Sequence, residues 1–285
     1  MARYKKILCA IDGSKSSLHA LRESFKFARD EKCWITVVSV VPPYVGDLDM
    51  VGVGDVMAAM RKPCEEALKT AENIAKEEGV LIKTVCEEGD AFERISDLAV
   101  AENCDLIVMG RRGLHKLERA LVGSVTARVI GYSQSDILVL VVPGETQVGF
   151  QRVLVATDGS KQCRHAVERA IDFARSYGGE ITVVSIVDVP AEFYAEAPQV
   201  VEDLVHKAKG YVEEVKRQAE ASGVKAEAFV KEGEAYQAII DFAKARDINI
   251  IVMGSHGRTG LKRLLMGSVA EKVIGYASCP VLITR

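Results

Sequence analysis

Ile7-Leu8-Cys9-Ala10-Ile11-Asp12-Gly13-Ser14-Lys15 returns in the same chain as Val153-Leu154-Val155-Ala156-Thr157-Asp158-Gly159-Ser160-Lys161. The offset, Asp12 to Asp158, is 146 residues. It holds through His19-Ala20 against His165-Ala166, Phe27-Ala28-Arg29 against Phe173-Ala174-Arg175, and Ile35-Thr36-Val37-Val38-Ser39 against Ile181-Thr182-Val183-Val184-Ser185. Beyond residue 79 the offset becomes 144: Met109-Gly110 matches Met253-Gly254, Gly123-Ser124-Val125 matches Gly267-Ser268-Val269, and Val129-Ile130-Gly131-Tyr132 matches Val273-Ile274-Gly275-Tyr276. Solenoid repeats have periods of only ~20 to 50 residues, so a period this long means a duplicated domain. The expected division is 1–142, a connector over 143–150 with Pro/Gly punctuation, and 151–285.

Within the first copy, short β-branched runs (5–11, 34–41, 80–86, 105–109, 137–142) predict strands buried on both faces, as in a helix-covered parallel sheet. Amphipathic stretches lie between them at roughly 16–30, 56–78, 91–103 and 124–132. In the first of these, Leu18, Leu21, Phe25 and Ala28 follow the helical period, with Ser14 or Ser16 available as cap. Strands alternating with helices imply right-handed crossovers, and hence an α/β fold of two tandem, doubly wound, parallel five-stranded sheets.

The chain's 285 residues accommodate two cores, and 48% hydrophobic with 27% charged residues is ordinary globular composition. A net charge of −3 provides no field to draw the whole surface onto nucleic acid or an anionic membrane. Apolar runs such as 137–142 are far below the ~20 residues of a bilayer span, and the charged start runs straight into a strand. The expectation is a cytoplasmic protein with no targeting segment. Seven cysteines (9, 33, 64, 86, 104, 163, 279) form no CxxC pair and are expected to be reduced, mostly buried thiols.

Ligands of doubly wound sheets collect beyond the carboxyl ends of the strands, where strand order reverses. There the sequence places Asp12-Gly13-Ser14 and a glycine loop, Gly110-Arg111-Arg112-Gly113, then nine residues, then Gly123-Ser124. The second copy repeats it as Gly254-Ser255-His256-Gly257, nine residues, then Gly267-Ser268. Glycines without Cβ let the backbone turn and approach a ligand. Gly123-Ser124 and Gly267-Ser268 open helices, whose free amides and dipole attract phosphate, with the serine hydroxyls as further donors. Asp12 and Asp158 suit ribose hydroxyls rather than phosphates. Strand-end glycines are also ordinary turn residues, and one GxxG carries little; the complete spacing, present twice with a matching DGS, favours an adenine nucleotide.

With these residues the chain resembles the universal stress protein family, whose ATP-binding members carry GxxG, nine residues, then G and S or T. The stretch Gly254-Ser255-His256-Gly257-Arg258-Thr259-Gly260-Leu261 is especially similar, and the likeness spans both copies. The resemblance implies that Asp12 and Asp158 hold ribose and that the backbone of Val40 and Ile186 meets adenine. It implies that Met109, Gly110, Gly113, Gly123, Ser124 and Val125 line ribose and phosphates in the first copy, and Met253, Gly254, Gly257, Gly267, Ser268 and Val269 in the second. It further implies that the two last strands (137–142 and 280–284) join the copies as an internal pseudo-dimer. The first copy departs from the pattern at Leu114-His115-Lys116, so the phosphate-facing cation expected at Arg258 has no counterpart there. His256 and Arg112 occupy matching loop positions, where a solvated side chain is the plainer expectation.

His19 and His165 read as helix-surface or packing residues, and Glu65-Glu66, Glu77-Glu78 and Glu87-Glu88 as solvated ends. The stretch 42–60, with Met57 and Met60, is either a lid or a connector. Three functions remain open: a regulatory protein that binds ATP, ADP or AMP, with or without magnesium, hydrolyses little and is read by a protein partner; a slow ATPase or adenylating enzyme; or a dimerisation scaffold with vestigial sites. Its oligomeric expectation is a monomer with an internal pseudo-dimer or a homodimer.

Overall fold

The computed structural model describes residues 4–44, 53–114, 122–140, 148–160, 163–257 and 266–285. The chain divides into two compact units, Met1–Glu145 and Thr146–Arg285.

The first unit runs β1 (Lys6–Ala10), α1 (Lys15–Glu31), β2 (Trp34–Val41), α2 (Val53–Glu77), β3 (Ile82–Glu88), α3 (Ala91–Ala101), β4 (Leu106–Gly110), α4 (Ser124–Tyr132) and β5 (Asp136–Leu140). Its strands lie in the order β3-β2-β1-β4-β5, and every neighbouring pair in the unit is parallel. The order reverses between β1 and β4, where Ala10 pairs with Met109. Residues 141–142 of the expected last strand, and 143–147 of the expected connector, lie outside the described residues.

The second unit runs β6 (Arg152–Ala156), α5 (Cys163–Tyr177), β7 (Glu180–Val187), a short α6 (Glu192–Glu196), α7 (Pro198–Ala221), β8 (Ala226–Glu232), α8 (Ala235–Ala245), β9 (Ile250–Gly254), α9 (Ser268–Tyr276) and β10 (Val281–Thr284). Its order is β8-β7-β6-β9-β10, again parallel throughout. The two expected doubly wound sheets are present.

Central strands are sealed on both faces: Ile7, Leu8 and Cys9 in β1 and Leu106, Ile107 and Val108 in β4 have no solvent exposure. The expectation of burial on both faces fails at β3 and β8. Both are edge strands, and β3 alternates between half-buried Ile82 and Thr84 and exposed Lys83, Cys86 and Glu88. An edge strand has sheet on one side only, so polar residues are tolerated and discourage pairing with other chains. The structure also moves this strand two residues beyond the expected 80–86.

Ser14 caps α1, its hydroxyl accepting from the Ser17 amide at 3.2 Å. Gly110 is required by packing: a Cβ there would lie 2.4 Å from Ser16 Oγ and 2.9 Å from the Ser16 carbonyl carbon. Just before β1, the buried Tyr4 hydroxyl donates to Oδ2 of Asp136, the first residue of β5, at 2.8 Å. Removing that donor with Tyr4→Phe deprives a buried carboxylate of a hydrogen bond, and denaturant unfolding is expected to show a loss of about 1–3 kcal/mol. A change below about 0.3 kcal/mol would mean that the bond contributes nothing net.

The expectation that all cysteines are reduced is corrected at one pair. Cys64 on α2 and Cys86 on β3 are joined as a disulfide, with Cα atoms 6.4 Å apart. Their 22-residue separation carries no sequence signal; the pairing arises from α2 packing across β2 and β3. Cys9, Cys33, Cys104, Cys163 and Cys279 are free, and burial pushes the Cys9 and Cys279 thiols up to about 12. Among the described residues no helix is long and apolar enough to cross a membrane.

Candidate functional site

In the first unit a cavity open to solvent, with about 750 Å³ free of protein atoms, lies at the β1/β4 reversal. Part of that space is open solvent, so the site is a cleft rather than an enclosed cavity. Its walls bring together nearly all residues that the sequence nominated in this half: Asp12, Val40, Met109, Gly110, Gly113, Gly123, Ser124 and Val125. Thr126, Arg112 and Leu114 add to them. Val38 and Val40 on β2, with Ala91 and Ile95 on α3, form an apolar slot, and the start of α4 forms the polar end.

That polar end is built from the backbone. Gly123 precedes α4 in an extended conformation and, as a glycine, offers the helix no side-chain cap. Its own N–H is used by the Arg111 carbonyl at 2.9 Å, which pins the loop to the helix start. Ser124 is exposed, Val125 half-buried, and the Thr126 hydroxyl donates to the Gly110 carbonyl at 3.0 Å. The first turn of α4 thus lines the cavity, and a helix start at a cavity wall is an arrangement that draws an anion.

Asp12 is held from two sides. Its Oδ1 accepts from the Ser14 amide at 3.0 Å and its Oδ2 from the Leu114 amide at 2.8 Å. A carboxylate has about four acceptor positions, so two remain for further donors. Gly113 lacks a side chain because of this carboxylate: a Cβ would stand 2.2 Å from Asp12 Oδ2. The expectation that Gly110 and Gly113 make room for a ligand is thus changed in its cause. Gly110 makes room for α1 and Gly113 for Asp12.

The second unit repeats the arrangement with different side chains. Gly267 precedes α9, again offering no side chain of its own as a cap, and its N–H donates to the Ser255 carbonyl at 3.0 Å. Asp158 Oδ1 accepts from the Ser160 amide at 2.9 Å and from the Cys163 thiol at 3.2 Å. A Cβ on Gly257 would lie 2.7 Å from Asp158 Oδ2. Met253 and Gly254 end β9, Ile186 lies near the end of β7, and Ser268 and Val269 start α9, the same element ends as in the first unit. Arg258 lies outside the described residues, as do His115 and Lys116.

Sequence reasoning missed two participants. Leu114, noted only as a departure from a pattern, supplies an amide to Asp12, and backbone donors leave no trace in residue identity. Cys163 stands where the first unit has Ser17, which lines the cavity, and the repeat alignment could have revealed that exchange. His19 is half-buried and His165 exposed on α1 and α5, the surface placement expected, with His165 Nδ1 3.6 Å from Glu168.

Fold and site together define a duplicated, doubly wound α/β domain with a glycine-loop cradle at each strand-order reversal. The profile of the universal stress protein family matches residues 3–143 and again 149–285, and the chain belongs to that family. A universal stress protein of Methanocaldococcus jannaschii is 37% identical over 142 residues, spanning 48% of this chain and 82% of its own length. One of Mycolicibacterium smegmatis is 25% identical over 300 residues, spanning 98% of this chain and 96% of its own. Among solved structures, a universal stress protein of Archaeoglobus fulgidus superimposes with a TM-score of 0.77 at 23% identity, covering 98% of this chain and 96% of its own, a likeness of fold.

Proposed function

We propose that the chain is a cytoplasmic regulatory protein that binds an adenine nucleotide, ATP foremost, in each unit and hydrolyses it slowly or not at all. The observation that carries this reading is the glycine-preceded first turn of α4 at the polar end of a cavity whose other end is an apolar slot. A purine fits the slot between Val38, Val40 and Ile95, a ribose hydroxyl can donate to Asp12, and phosphates reach the amides from Ser124 onward. The matching glycine-preceded start of α9 supports a second site with Asp158 and Gly257 in the same roles. ADP and AMP present the same base and ribose and fewer phosphates, so ATP is expected to bind tightest.

Retention is favoured over turnover by what surrounds the cavity. Among its described lining residues the ionisable groups are Asp12 and Arg112, and Asp12 is engaged by two backbone amides. Phosphoryl transfer needs a residue that orients water and cations on the transferred group. The alternative, a slow ATPase using magnesium, would show phosphate release that Asp158→Ala abolishes.

The test is to denature freshly purified protein by heat and identify what is released by chromatography and mass spectrometry. Adenine nucleotide at two per chain is expected. If none is released and added ATP at saturating concentration leaves the melting temperature unchanged, the reading is wrong, since a ligand at 100 times its Kd stabilises by about 2.7 kcal/mol.

A further inference from the structure

We propose that Cys64 and Cys86 form a redox-responsive clasp that sets how tightly α2 is held against the edge strand of the first unit. Three observations support this. The two residues are bonded across α2 and β3 with a Cα separation of 6.4 Å, inside the range a disulfide spans. Cys64 is buried, at 3% exposure, whereas Cys86 is exposed on the edge strand, so one sulfur of the bond is open to attack by a small thiol.

The third observation comes from the duplication. At the repeat offset of 144 residues, Cys64 corresponds to Ala208 and Cys86 to Val230. Ala208 is buried on α7 in the same helix-on-edge-strand packing, so the fold forms without sulfur at these positions. The pair in the first unit is therefore an addition to the packing rather than a requirement of it. One turn beyond Cys64, buried Ala67 lies 3.7 Å from the position a Cβ on Gly13 would take, so α2 backs the turn that carries Asp12. In a reducing compartment a disulfide of this kind acts as a reversible sensor.

The chemistry balances with a small-molecule disulfide, RSSR, as oxidant. The exposed Cys86 thiolate attacks one sulfur and expels RS⁻. The Cys64 thiol then loses its proton, attacks the Cys86 sulfur of the mixed disulfide and expels the second RS⁻. Two protein thiols and RSSR become one protein disulfide and two RSH; excess thiol reverses both steps.

To test it, the full chain is equilibrated with glutathione disulfide or with dithiothreitol, alkylated with iodoacetamide and digested. The oxidised sample is expected to yield a linked peptide pair carrying Cys64 and Cys86, two hydrogens lighter than its thiol forms. Amide hydrogen exchange on the same samples is expected to be roughly a hundredfold faster after reduction across α2 and β3, the scale set by closing a loop of this length. Exchange in α7 and β8 should be unchanged. The double variant Cys64→Ala/Cys86→Val, which copies the second unit, is expected to fold and to lose the redox response. No linked pair in the oxidised sample, equal exchange in the two samples, or a response that survives in the double variant would each overturn the proposal. No nucleotide is added and each readout compares oxidised with reduced samples of the same preparation, so they stand or fall separately from the proposed nucleotide site.

Discussion

Gly267→Val is expected to weaken ATP binding in the second unit by about a hundredfold or more while leaving the fold intact. The backbone at Gly267 is extended, φ −64° and ψ 142°, a conformation valine adopts without strain. Space is the obstacle. A Cβ would already lie 3.1 Å from the Ser255 carbonyl oxygen and 3.4 Å from His256 Cα, and two further methyl groups need still more room. They would cover the Ser268 and Val269 amides or push the loop away from them. A hydrogen bond to a charged group contributes about 1.5–3 kcal/mol, and tenfold in affinity is about 1.4 kcal/mol, so losing one or two such bonds gives the stated effect. Calorimetric titration against the parent and against Gly123→Val, the same change in the first unit, checks it. Each variant should lose one site of two, and unchanged affinity in both would remove the helix starts from the binding site.

The largest expected effect on stability is at Phe173. Its ring is fully buried on α5 and stacks on Phe150 with centroids 4.0 Å apart and planes 9° from parallel. Phe173→Ala removes the whole ring from its stack on Phe150 and its contact with Tyr177, leaving a cavity among buried residues. Truncations of this kind cost about 3–5 kcal/mol. For a unit of this size, a fall in melting temperature of about 10 °C or more is expected by scanning calorimetry. The repeat counterpart Phe27 is also buried but meets Tyr4, at 5.9 Å and a tilted angle, so Phe27→Ala gives an independent comparison in the other unit. A loss under about 1 kcal/mol for Phe173→Ala would show that the Phe150 stack is not part of the core.

What the sequence reveals of this molecule depends on whether residue identity or three-dimensional neighbourhood carries the signal. The duplication is visible because Asp12-Gly13-Ser14 and Asp158-Gly159-Ser160 are identical strings, and the parallel sheet because Ile7–Ala10 and Leu106–Met109 are continuous apolar runs. Strand order is not local, so nothing in the run around Ile82–Glu88 announces an edge strand except its polar residues, which show their meaning once β3 is seen to pair with β2 alone in its unit. The site is legible at its glycines, yet their causes are not. Gly113 is set by the Asp12 carboxylate a hundred residues away, and Gly110 by Ser16. The amide of Leu114 and the Cys64–Cys86 bond belong to the same class: contacts made by chain paths that meet, without any motif to mark them.

The central claim, that the first-turn amides of α4 and α9 receive phosphate, is tested most directly by the backbone amide spectrum of isotopically labelled protein titrated with ATP and, separately, with adenosine. ATP is predicted to move the amide resonances of Ser124, Val125, Ser268 and Val269 strongly, and adenosine to move those around Val40 and Ile186 while leaving the helix starts nearly still. Saturating ATP that leaves all four helix-start amides unmoved would contradict the account.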